Sequence, residues 1–77
     1  MNKRDRKELE KALELLNSAS EIITMIKEQE EEKYDNLPEG IQNSERGEKF
    51  QEGIDNLDYA ISDLETAVEF LNEAINQ

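Results

Sequence analysis

The stretch FQEGIDNLDYAISDLETAVEFLNEAI, Phe50 to Ile75, decides the fold. Its large apolar residues Phe50, Ile54, Leu57, Ile61, Leu64, Val68, Leu71 and Ile75 alternate at spacings of four and three. That period winds one apolar seam along a long α-helix, and such a seam is stable only against other helices. Beside it Gly53, Ala60, Ala67 and Ala74 recur every seven residues, and Gly47 falls on the seam itself. A glycine inside a helix costs about 1 kcal/mol relative to alanine. The two glycines are therefore expected where helices approach closely.

Upstream, Leu9, Ala12, Leu16, Ala19, Ile23 and Ile26 form a second seam, broadened by Leu13, Leu15 and Ile22. They predict a first helix over residues 5–35. Pro38 disfavours helical geometry at Leu37 and can open a single helical turn, so residues 36–43 read as a loop. Leu37 and Ile41 in that loop are placed to plug one end of a bundle. Asn43 or Ser44 caps a second helix over 44–75, with Glu45 and Glu48 near its positive end.

The short connection makes the helices antiparallel neighbours. Lys3, Arg4, Arg6 and Lys7 then lie beside Glu69, Glu73 and the negative end of the second helix, and Arg46 and Lys49 beside the run Glu28 to Glu32. The fold expected for residues 1–77 is thus a single all-α domain, an antiparallel two-helix hairpin. Leu15, Ile22 and Leu13 widen the first helix's apolar face beyond what one neighbour covers. Two hairpins are therefore expected to pair into a homodimeric four-helix bundle, with Leu16, Ile23, Ile54, Ile61, Leu64, Val68 and Leu71 in the dimer core.

Composition narrows the function. The 77 residues include no cysteine and no histidine, which removes disulfides, thiolate zinc sites and the commonest general base. No catalytic residue, metal ligand or cofactor site is assigned. The basic start, Lys3 to Lys7, is followed by charged residues, and nothing approaches the ~20 apolar residues of a membrane span. A cytoplasmic protein with no membrane association is expected. Twenty acidic against nine basic residues leave a net charge of −11, and direct nucleic-acid binding, which needs clustered cations, is not expected.

Three features bear on partners. Tyr59 and Phe70 lie eleven residues apart, opposite the main seam, and Asp55 and Asp63 flank them. Aromatics in such a setting suit an interface core. After Lys49 there is no basic residue, while Glu52, Asp55, Asp58, Asp63, Glu65, Glu69 and Glu73 are all acidic. An acidic rod of this kind can imitate a line of phosphates and bind a basic nucleic-acid-binding protein. Asp55, Tyr59, Asp63, Phe70 and the loop residue Arg46 are the candidate partner-binding set of a non-enzymatic interaction protein. Two alternatives stand beside this reading. Glu31, Glu32 and Asp35 with Glu52 and Asp55 loosely resemble the acidic motifs of all-α nucleotide pyrophosphohydrolases, which would make the chain a small metal-dependent hydrolase; the other alternative is a purely structural, self-assembling protein.

Residues Tyr34-Asp35-Asn36-Leu37-Pro38-Glu39-Gly40 and Ser44-Glu45-Arg46-Gly47-Glu48 form a paired pattern ahead of the final helix. In this the stretch Lys33 to Ile75 resembles small acidic helical proteins of bacteria and their phages. The resemblance implies an accessory protein of a phage or mobile element and carries no established activity.

Overall fold

The computed structural model describes all residues, Met1–Gln77. It contains α1 (Lys3–Asp35), α2 (Glu39–Gln42) and α3 (Glu45–Ile75), and no strand. The hairpin forms as the sequence predicts: α1 and α3 run side by side in a rod of 58 × 15 × 12 Å. No helix is long and apolar enough to cross a membrane.

Local chemistry sets each helix end. α1 starts two residues earlier than expected because the Asn2 side chain caps it, accepting the Asp5 N–H at 2.7 Å. At its far end the Asn36 N–H donates to the Glu32 carbonyl and the Leu37 N–H to the Tyr34 carbonyl, each at 3.1 Å. Pro38 then caps the single turn α2, and Ser44 caps α3, its hydroxyl accepting the Gly47 N–H. The expected loop over 36–43 thus holds a short helix.

The side chain of Gln42 is the clasp of this connection. Its Nε2 donates to the Tyr34 carbonyl at 2.8 Å, which also accepts the Leu37 N–H, and to the Asp35 carbonyl at 3.4 Å, an acceptor that the end of α1 leaves free. Ser44 Oγ donates to the Ile41 carbonyl at the end of α2. These bonds draw the start of α3 against α2 so closely that only glycine fits at position 47. A Cβ there would lie 2.6 Å from the Ile41 carbonyl oxygen and closer still to that of Gln42. The backbone has no positive φ anywhere, so space and not conformation demands this glycine. Gly53 is different: a Cβ there meets nothing within 4 Å. The tight packing expected of it is absent within the hairpin, because its face of α3 has no neighbouring helix.

Along α1 the line facing α3 is Leu9, Leu13, Leu16, Ser20, Ile23, Lys27, Glu30 and Tyr34, each partly shielded. It departs from the expected seam at Ala12 and Ala19, where Leu13 and Ser20 take the line, and again after Ile23. Ile26, 38% exposed, drops off the contact, and Leu15 (72%) and Ile22 (59%) stand outside it altogether. A helix turning 3.6 residues against a neighbour that follows a 3.5-residue stripe must hand over positions in this way. Leu16, Ile23, Ile61, Leu64, Val68 and Leu71 are half-buried, and Ile54 is the one large side chain that the hairpin buries, at 5% exposure.

The two glycines separate cleanly by substitution. Gly47→Ala should destabilise the hairpin by about 1–3 kcal/mol through backbone overlap. Gly53→Ala should stabilise it by up to about 1 kcal/mol through helix propensity. Urea melts followed by circular dichroism read both, and equal effects would refute the role given to the α2–α3 contact.

Candidate interaction faces

Seen in cross-section, α3 offers three surfaces, set by its 100° step per residue. One faces α1. The second, directed away from α1, carries Glu45, Glu48, Glu52, Asp55, Tyr59, Asp63, Thr66, Phe70 and Glu73 at spacings of three and four, every one exposed. Tyr59 and Phe70 are each 66% exposed. None of the six carboxylates forms an ion pair; Asp55 accepts only a hydrogen bond from Gln51 Nε2 at 3.0 Å. The stripe presents a group roughly every 5 Å along the helix axis. Asp55, Tyr59, Asp63 and Phe70 therefore share one face, as expected. Glu45, Glu48 and Glu52 extend it, legible in the sequence as the same three-four spacing opposite the seam.

Arg46 does not belong to that face. It is exposed, makes no ion pair, and lines an open groove of about 530 Å³ with Lys49, Phe50, Gly53, Ile54, Leu57 and Glu30. At 100° per residue it sits about 100–180° around α3 from Asp55, Tyr59, Asp63 and Phe70, which separates it from the acidic stripe. Nor does it satisfy the carbonyls of the connection; Gln42 does so.

The groove beside Arg46 belongs to the third surface. On α3 this flank continues as Gly53, Leu57, Ala60, Leu64, Ala67, Leu71 and Ala74. On α1 the flank on Glu30's side of the contact is Ala12, Leu15, Ala19, Ile22 and Ile26. Because α1 and α3 are antiparallel, these two flanks open to the same side of the hairpin. The opposite side is polar: its groove is lined by Asn17, Ser20, Glu65 and Glu69 beside Leu64 and Val68. One side of the hairpin thus gathers the exposed aliphatic residues Leu15, Ile22 and Ile26, while on the other Asn17, Ser20, Glu65 and Glu69 flank the seam residues Leu64 and Val68.

Charges between the helices pair less than the sequence suggests. Arg6 reaches the Gln77 carbonyl at 2.9 Å, over the negative end of α3, while Lys3, Arg4 and Lys7 form no ion pair with Glu69 or Glu73. Likewise Arg46 and Lys49 form none with Glu28 to Glu32; of that run only Glu30 lines their groove. The interhelical ion pair is instead Lys27–Asp58, at 2.6 Å, with Glu31 at 3.6 Å on the same ammonium. The hydrogen bond from Lys27 to Asp58 raises the Lys27 pKa above its ordinary 10.5, against a desolvation that lowers it. Sequence reading missed this pair because Lys27 lies where the apolar pattern thins and its partner is 31 residues away.

The carboxylates of the hydrolase alternative do not converge. Glu31, Glu32 and Asp35 line a shallow acidic recess with Glu28 and Asn36 at the end of α1, and Glu52 and Asp55 lie on the outward stripe of α3. No group of three or more carboxylates is placed to hold a metal ion. Comparison with protein-family models, curated proteins and solved structures finds nothing that matches this chain.

A lysine whose pKa is raised by folding contributes stability that is complete below 10.5 and is lost as pH rises through the raised value. Lys27→Met should therefore lower stability at neutral pH, and the gap from the wild type should close at strongly alkaline pH. Paired thermal melts across that range check it; a gap independent of pH would refute the ion pair's contribution.

Proposed function

We propose that the protein is a non-enzymatic, homodimeric helical interaction protein whose acidic outward stripe engages a basic protein surface, competing there with nucleic acid. The observation that carries this reading is the stripe itself: six unpaired carboxylates, Tyr59 and Phe70 along one rigid helix, with no cation among them. Carboxylates held at regular spacing present to a basic groove the charge pattern of a phosphate line, and the two aromatics supply the apolar anchors that such a contact needs. Read with the loop's resemblance to small acidic proteins of bacteria and phages, the target is a basic nucleic-acid-binding protein of a host cell.

Dimerisation is supported by surface area. A compact monomer of this mass exposes about 4,800 Å², whereas the hairpin exposes 5964 Å². The excess is of the order of the ~800 Å² that each partner contributes to a stable interface. The apolar side of the hairpin supplies that surface and leaves the acidic stripe free.

The test is capture from a bacterial lysate on the immobilised protein, alongside the variant Glu52→Gln/Asp55→Asn/Asp63→Asn/Glu73→Gln. A basic protein should be retained at low salt, released at high salt, displaced by duplex DNA and lost from the variant. Phe70→Ala or Tyr59→Ala should weaken its binding by at least about 1 kcal/mol. Equal retention by the variant, or recovery of the protein's own chain alone, would overturn the reading in favour of a structural role.

A further inference from the structure

We propose that the second copy docks in one orientation: apolar face to apolar face, with the two loops at opposite ends of the rod, α1 against α1 and α3 against α3. The proposal rests on the dimer reading above and adds the orientation and register. Three independent observations point to it.

The first is charge. Residues 1–19 and 66–77, the half of the rod at the termini, carry five cations and six carboxylates; residues 20–65, the loop half, carry four cations and fourteen carboxylates. Nearly all of the net −11 thus sits at one end. Stacking loop on loop would bring two strongly negative ends together, whereas reversal sets each negative half against a nearly neutral one.

The second is size complementarity on α3. Turning a copy end for end about the level midway between residues 65 and 66 brings Leu57 opposite Ala74, Ala60 opposite Leu71, and Leu64 opposite Ala67. Every leucine of the flank then meets an alanine, which lets two helices interdigitate at close approach. In the loop-on-loop orientation α3 faces α1 of the other copy; Leu64 and Leu71 then lie nearest Ala19 and Ala12, but Leu57 meets Ile26, so the matching is partial.

The third is agreement of level. Reversal of α1 about residue 19 sets Leu15 opposite Ile23, Ile22 opposite Leu16, and Ala12 opposite Ile26, with Ala19 at the axis. Within the hairpin, α1 and α3 residues at the same height have numbers that sum to about 85, as Lys27 with Asp58 shows. Residue 19 is therefore level with 65–66, so a single two-fold axis serves both helices. Leu15, Ile22 and Ile26, exposed apolar side chains of the α1 flank, come under cover in this arrangement.

The chain has no cysteine, so one spin label at Asn43→Cys, exposed beside the loop, marks the end of the rod. Sedimentation equilibrium should give twice 8.9 kDa, and the label-to-label distance, read by double electron–electron resonance, should approach the rod length of 58 Å. Ile22→Glu, on a side chain the hairpin leaves outside, should keep helix content and weaken the dimer at least about tenfold. A dimer with labels separated by less than half the rod length would overturn the orientation alone. A monomeric mass would overturn the dimer reading and the orientation with it.

Discussion

Two helices laid side by side shield only one stripe of each from water, and this geometric limit governs the whole molecule. The α1–α3 contact encloses Ile54 and leaves the rest of the seam half-buried. Conformational entropy opposes ordering a 77-residue chain by far more than one buried isoleucine returns. The exposed aliphatic residues Leu15, Ile22 and Ile26 gather on one side of the hairpin, and Tyr59 and Phe70 on the outward stripe of α3.

The connection shows how local hydrogen bonding sets the hairpin. Gln42 ties the end of α1, Ser44 ties α2 to α3, and Gly47 admits the Ile41 and Gln42 carbonyls to a distance that any side chain would block. Most of the Tyr34 to Glu48 pattern is accounted for by these duties: a C-cap, a proline-led turn, an N-cap and one obligatory glycine. Arg46 and Gly40 are members that no structural contact explains. The place of Arg46 in the groove beside Phe50 and Lys49 puts it on the apolar face, among the surfaces that association would cover.

Charge divides the labour between faces. One cation, Lys27, is committed to holding α1 on α3 through Asp58, and the short pairs Lys11–Glu8 and Lys33–Glu30 stay within α1. The outward stripe of α3 keeps its carboxylates uncompensated, which costs little in water and leaves a strong negative field along that face. Placing that stripe opposite the α1 contact separates it from the packing of the hairpin: substitutions there leave the seam untouched.

The periodicity of Phe50 to Ile75 was sufficient to determine a long amphipathic helix, and Pro38 with the turn residues around it was sufficient to make that helix return along the first. Those are local properties, encoded within a few residues of where they act. The grouping of Asp55, Tyr59, Asp63 and Phe70 was equally legible, since all lie on one helix at helical spacing. What depended on the neighbouring helix was hidden: the hand-over from Ile26 to Lys27 and Glu30, the Lys27–Asp58 pair, the different duties of Gly47 and Gly53, and the gathering of both apolar flanks on one side. Helical spacing determines which residues of a helix share a face. Only the tertiary structure, by fixing how α1 is rotated and levelled against α3, decides which of those faces meet and which remain exposed.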